Sequence, residues 1–200
     1  MMQYPSISNI IDRNVLVHVF DKIDGTLIRA QFSMKRDRFY KFGTRSRLID
    51  ASEPVFGVSI PLIEGLAGRL APVFNALDRI SVTCFFELVG SSSFAGQHVP
   101  DDELSVTLLD VATHDGCLVP AGVFSPMFSG VVPIAHQIFV GAIDEATEGL
   151  IRRSELPGIT FEGVVCKSMD GRMFKVKTDA WLQKLRERCG SDEAEFMKLS

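Results

Sequence analysis

No run of apolar residues in this 200-residue chain approaches the length needed to cross a bilayer, and the opening MMQYPSISNIIDR has neither a basic leader nor a long apolar segment. A cytoplasmic protein without a membrane partner is the expectation, in the host cytoplasm if the chain is viral. There is no C-x-x-C pair. Cys84, Cys117, Cys166 and Cys189 lie far apart, which argues against a disulfide framework or a zinc site and for a reducing compartment. His18, His98, His114 and His136 show no metal-ligand spacing and read as surface or core residues. A formal net charge of -4 excludes a protein coated in positive charge. Internal repeats, low-complexity tracts and a linker-like stretch are absent. The glycine- and serine-rich GSSSFAGQ at 90–97 lacks the G-K-S/T ending of a phosphate loop and reads as a connection.

What is present is a globular composition, 46% hydrophobic and 23% charged. Its length suits one domain over residues 1–200 with a charged helical tail from about 180. Val15, Val17, Val19, Ile23 and Leu27 predict a strand pair turning at Asp24-Gly25, with Lys22 at a strand end. Leu66, Leu70, Phe74 and Leu77 mark one helical face, with Gly65, Gly68 and Pro72 predicting a bend. RISVTCFFELVG reads as a core strand, GSSSFAGQHVPDDE as a polar loop and LSVTLLDVATHDG as another strand leading into a turn. IDEATEGLIRR has acids early and arginines late, as a helix dipole prefers. After a Pro-Gly break, FEGVVCKS and MFKVK predict a hairpin turning at Asp170-Gly171.

Charged residues recur on these otherwise apolar strands: Lys22, Glu87, Glu162, Lys167, Lys175 and Lys177. Period-two spacing puts Lys175 and Lys177 on one strand face, where two cations repel unless an anion lies between or above them. Any one such residue is explained by a solvated face or an edge-strand lysine; all of them together need several coincidences. A basic cluster, KRDRFYKFGTRSR, carries Lys35, Arg36, Arg38, Lys41, Arg45 and Arg47 among aromatics. Taken alone, it is a solvated hairpin before it is a phosphate-binding surface.

The order KIDG at 22–25, GTRSR at 43–47, FFELVG at 85–90, TLLDV at 107–111, FEGVVCK at 161–167 and FKVK at 174–177 resembles the covalent nucleotidyltransferases, and among them the phage-type ATP-dependent RNA ligases. The resemblance implies an α+β fold whose antiparallel sheets form a nucleotide cleft. It implies an enzyme that uses ATP with magnesium or manganese to join RNA ends. Lys22 would attack the α-phosphorus and carry AMP, its pKa lowered by neighbouring cations. Glu162 would help position the metal or Lys22, and Lys175 and Lys177 would neutralise phosphate charge. Glu87 would accept from the ribose hydroxyls and Phe85 would stack on adenine, while Phe86 stays in the core. Lys167 would approach the α-phosphate or the base, and Arg45, with Arg47, would meet phosphate or a nucleic-acid end. Asp24 and Gly25 complete the nucleotide-attaching motif. Departures are Leu27, where DNA ligases of the superfamily carry arginine (here only at Arg29), and Leu108 and Leu109, where an aromatic is usual. With no OB-fold domain expected after Lys177, a DNA-nick or capping-type enzyme is the weaker alternative. A catalytically inactive nucleotide- or RNA-binding module is the other, and the partner would be nucleic acid, with a helper protein or as a monomer.

Overall fold

The computed structural model describes residues 1–78, 80–90 and 102–200. The loop expected from Gly90 lies, over residues 91–101 and with it His98, outside the described residues. In chain order the elements are β1 (Val17–Asp21), β2 (Thr26–Ser33), β3 (Arg38–Gly43), β4 (Leu48–Ile49), α1 (Ser59–Glu64), α2 (Ala67–Leu77), β5 (Ser81–Val89), β6 (Ser105–Ala112), α3 (Ala121–Phe128), β7 (Gln137–Gly141), α4 (Glu145–Arg152), β8 (Gly163–Ser168), β9 (Met173–Lys177), α5 (Asp179–Cys189) and α6 (Glu193–Leu199). They form two compact units, each built on one antiparallel sheet, and among the described residues the chain passes between units at Pro5–Ser6, at Asp24–Gly25 and after Ala135. The mixed helix and antiparallel-sheet composition is the one expected. Among the described residues, no helix is long and apolar enough to cross a membrane.

One unit holds a five-stranded sheet in the order β4-β3-β2-β5-β6. Alternation sends Ile28, Ala30 and Phe32 of β2 and Val82, Cys84, Phe86 and Leu88 of β5 to one face. There they pack against Ile63 of α1, Leu70 and Phe74 of α2, and Phe124 and Phe128 of α3. The expected bend is a full break: α1 and α2 part at Gly65 and Leu66. Pro72 lies inside α2 without ending it. The other face of β2, β5 and β6 carries Arg29, Phe85, Glu87 and Asp110, all buried.

The other unit holds a four-stranded sheet in the order β7-β1-β8-β9. Val17 and Val19, Val164 and Cys166, and Phe174 and Val176 pack with Ile143 and Ile151 into its core. Asp144 caps α4 by accepting from the Thr147 N–H at 2.7 Å, with Glu145 and Glu148 in the first turn and Arg152 in the last, as the sequence predicts. The hairpin at Asp170-Gly171 forms between β8 and β9. The hairpin expected at Asp24-Gly25 does not. β1 is bonded on both edges by β7 and β8, and β2 by β3 and β5, so neither has an edge left for the other. All four cysteines are free thiols.

Candidate active site

Lys22 follows the last residue of β1, and its backbone is fixed from both sides. Its N–H donates to the Gly163 carbonyl at 2.9 Å, and the preceding Asp21 N–H donates to the His136 carbonyl at 2.8 Å. The buried Asp21 carboxylate accepts from the Thr160 N–H and hydroxyl, both at 2.9 Å, tying the end of β1 to the segment before β8. Burial raises the Asp21 pKa, and the Thr160 bonds oppose that shift.

That scaffold brings together three residues the sequence singles out. Glu162 Oε2 accepts from Lys22 Nζ at 2.9 Å, and Glu162 Oε1 lies 3.4 Å from Lys177 Nζ. The side chains of Glu162 and Lys177 are each 6% exposed, that of Lys22 20%. Burial, the first cause, and the nearby Lys175 and Lys22 lower the Lys177 pKa to about 7, against the opposing pull of Glu162. The local sequence explains the approach. Gly163 has φ +136°, and a Cβ there would fall 2.1 Å from the Val176 carbonyl oxygen and 2.8 Å from Lys177 Cα, so only glycine lets β8 begin this close to the end of β9. Thr178 then clamps the junction. Its N–H donates to the Glu162 carbonyl at 3.0 Å and its hydroxyl to the Phe161 carbonyl at 2.7 Å, while the same hydroxyl oxygen caps α5 by accepting from the Trp181 N–H at 3.1 Å. The Lys177 ammonium lies 3.6 Å from the centroid of the buried Trp181 ring.

Lys175 is half-buried on the same strand face as Lys177, as its spacing requires. Lys167 is buried on β8 with its ammonium 4.9 Å from the Phe20 ring centroid. Asp24 is buried too. Among the described residues no three His, Cys, Asp or Glu side chains gather to hold a metal. Glu162 is one carboxylate between two ammonium groups. It fits a cation that arrives with the triphosphate, because magnesium is commonly held by one or two carboxylates together with substrate phosphates.

The remaining candidates belong to the unit with the five-stranded sheet. Phe85 and Glu87 point to the face opposite its core, whereas Phe86 lies in that core among Phe39 and other aromatics. A Cβ on Gly25 would fall 2.5 Å from the Leu88 carbonyl oxygen and 2.8 Å from Glu87 Cγ, so this glycine lets the approach to β2 run against Glu87. Arg29, on β2 opposite Phe85, is buried, and its Nε donates to the Thr44 carbonyl at 2.7 Å. Arg45 and Arg47 are exposed just beyond β3, Arg47 paired with Glu53 at 2.8 Å. Lys35, Arg36 and Arg38 are exposed at the β2–β3 turn, with Arg36 over the Tyr40 ring at 4.9 Å.

Sequence reasoning passes over three participants. Trp181 stands three residues after Thr178, a helix-capping spacing that could have placed its ring at the end of β9. Asp110 is an acid in the apolar strand TLLDV. Tyr4 gives no local signal at all, since the hydroxyl it donates to Asp110 crosses 106 positions.

No protein-family model and no curated protein matches the chain. Solved structures do. An archaeal ATP-dependent RNA ligase matches with TM-score 0.68 at 17% identity, over 94% of this chain and 51% of that one. A second form of an archaeal ATP-dependent RNA ligase matches with TM-score 0.67 at 16% identity, over 100% and 56%. A Naegleria gruberi RNA ligase with ATP and manganese matches with TM-score 0.66 at 15% identity, over 92% and 58%. At these identities the likeness is one of fold, and the chain spans between 51% and 58% of the length of these three proteins.

Proposed function

We propose that the chain is the nucleotidyltransferase part of an ATP-dependent RNA ligase of the phage type, joining 5′-phosphate and 3′-hydroxyl ends through a lysine-AMP intermediate. The observation that carries this reading is the meeting of Lys22, Glu162 and Lys177 from three separate segments at one sheet end. The likeness of fold to RNA ligases supports it, and ATP and manganese accompany one of those structures.

In the first step Lys22 Nζ forms a bond to the α-phosphorus of ATP. The α–β phosphoanhydride bond breaks, pyrophosphate leaves, and the nitrogen gives a proton to solvent. The Glu162 contact favours the Lys22 ammonium, so attack requires that contact to loosen. Lys177 then disfavours charge on Lys22 as a neighbouring cation. A magnesium or manganese ion held by Glu162 and the triphosphate would supply charge neutralisation at the phosphates. Lys175, Lys177 and Lys167 supply positive charge from the chain itself. Phe85 and Glu87 serve the adenine and the ribose hydroxyls, and Arg45 and the exposed cations around the β2–β3 turn serve phosphates of the RNA end. AMP then passes from Lys22 to a 5′-phosphate oxygen, and attack of the 3′-hydroxyl on that phosphorus releases AMP.

The test is intact-mass spectrometry after incubation with ATP and magnesium without RNA. The wild-type chain gains one AMP adduct and Lys22→Ala gains none while still binding ATP. An adduct that persists in Lys22→Ala overturns the assignment, and a wild-type chain that binds ATP without an adduct is a binding module.

A further inference from the structure

Phe85 is 0% exposed, yet it takes no part in the apolar core on the other side of its sheet. The segment Met1–Pro5, which belongs to the same unit, covers it. The Tyr4 ring centroid lies 4.8 Å from that of Phe85 with the planes inclined at 49°. The Tyr4 hydroxyl donates to Asp110, the residue opposite Phe85 across the β5–β6 ladder. Arg29, opposite Phe85 on its other side, secures the segment by donating Nη1 to the Met2 carbonyl at 3.0 Å. Burial and then the Asp110 carboxylate push the Tyr4 hydroxyl well above its usual pKa, with Glu87 adding and Arg45 opposing, so it remains a proton donor beside those charges.

An aromatic ring tilted against Phe85 with a donor aimed at a buried carboxylate uses the same two partners, a ring face and an acceptor, that a purine bearing an exocyclic amine could use. Resting on the reading of Phe85 as the base-stacking residue, we propose that Tyr4 holds the place of the adenine base and that Asp110 reads it. An incoming ATP displaces the Tyr4 ring from Phe85, and its 6-amino group takes over the hydrogen bond to Asp110. The ring contact and the donor that Tyr4 withdraws are each replaced by one from the base. Two consequences follow from the swap. Apparent affinity is reduced by the fraction of molecules in which Tyr4 occupies the place. A base with a carbonyl at position 6 is rejected, because it sets an acceptor against the carboxylate.

The experiment measures binding of ATP and of inosine triphosphate, which has that carbonyl, by calorimetry in the Lys22→Ala background, where no adduct forms. Tyr4→Ala should tighten both nucleotides roughly three- to tenfold, the weight of one aromatic pair. Tyr4→Phe, which keeps the ring and loses the donor, should tighten ATP by less, and it carries the test if Tyr4→Ala fails to fold by thermal melting. Asp110→Asn should abolish the preference for ATP over inosine triphosphate. Phe85→Leu separates the proposal from the reading beneath it. If Phe85→Leu weakens ATP but the Tyr4 variants bind it no better, or Asp110→Asn keeps the preference, the proposal is overturned and the reading of Phe85 stands. If Phe85→Leu binds ATP as before, both fall.

Discussion

The two units treat their buried charge in opposite ways. At the end of the four-stranded sheet, Glu162 lies between the Lys22 and Lys177 ammonium groups, and Gly163 and Thr178 fix the backbone around the three. On the outer face of the five-stranded sheet, Phe85 and Asp110 are covered by a segment from far along the chain, held by a ring contact and hydrogen bonds from Tyr4 and Arg29. A buried charge can give up one partner only as another charge arrives, since an unpaired buried ion costs several kcal/mol. An aromatic face with one acceptor can exchange partners at little cost, because what leaves resembles what arrives. On the function proposed above, the first arrangement serves chemistry and the second binding.

The sharpest way to break this contrast is to remove the shared carboxylate. Glu162→Ala removes the buried carboxylate that lies between the Lys22 and Lys177 ammonium groups and should cost about 3 kcal/mol of stability, read as a lower midpoint in denaturant unfolding. Lys22→Ala, although it should end adenylylation, leaves the Glu162–Lys177 pair intact and should cost less than about 1 kcal/mol. If Lys22→Ala were the more damaging of the two, Lys22 would be a structural bridge and the cluster would lose its reading as a reactive centre.

How far the sequence shows each region follows from the same difference. Lys22, Glu162 and Lys177 are legible as charges on apolar strands that fall in the motif order KIDG, FEGVVCK and FKVK, whereas the backbone reasons beside them, Gly25 against Leu88 and Glu87, Gly163 against Val176 and Thr178 as the cap of α5, are visible only in the fold. Period two placed Lys175 and Lys177 on one face without any knowledge of what lay across from them. The Tyr4–Asp110 contact carries no period and no motif, and no local rule joins residues so distant. The same limit hides that the strands flanking Asp24-Gly25 do not pair with each other. A turn signal between two apolar stretches looks the same whether the strands pair or leave for different sheets, and only the partners β8, β7, β3 and β5 decide it. Residues 117–142 escape for a further reason. Prolines and glycines among continuous apolar residues suit helix and strand alike, so α3 and β7 carry no dominant period.

A finer test uses two adjacent phenylalanines. Phe86 packs inside the core with Phe39, whereas Phe85 faces Tyr4. Phe86→Leu should lower stability by roughly 1 to 2 kcal/mol, below the full loss for removing a buried ring, with ATP affinity unchanged in the folded protein. Phe85→Leu should weaken ATP binding by about 1 kcal/mol. Equal effects on both measurements would mean the strand has one kind of buried face, and the contrast between core and binding face would dissolve.

The smallest effect is expected where a charge pair lies at the surface. Asp78, after α2, accepts from the His114 backbone N–H at 2.9 Å and lies 2.8 Å from His114 Nδ1 in the turn after β6. Burial pushes the Asp78 carboxyl up, but the backbone N–H groups of His114 and Ile80 and the His114 ring outweigh it and hold the pKa well below the usual carboxylate range. The hydrogen bond to Asp78, with the charges of Asp78 and Asp115, raises the His114 pKa against the opposing effect of burial. Because the folded pKa of His114 lies above its unfolded value of about 6.5, the folded state binds the proton more tightly. Its contribution to stability is therefore full below about 6.5 and is lost as pH rises through the raised folded value. His114→Asn keeps a donor near Nδ1 and removes the charge. Its melting temperature should fall below that of the wild type at pH 5.5 to 6 and converge on it above neutrality. The gap should shrink with added salt, since the His114 side chain is 49% exposed. A gap that widens with pH would mean that the neutral imidazole is the form the fold selects, and that this exposed pair behaves like the buried cluster around Glu162.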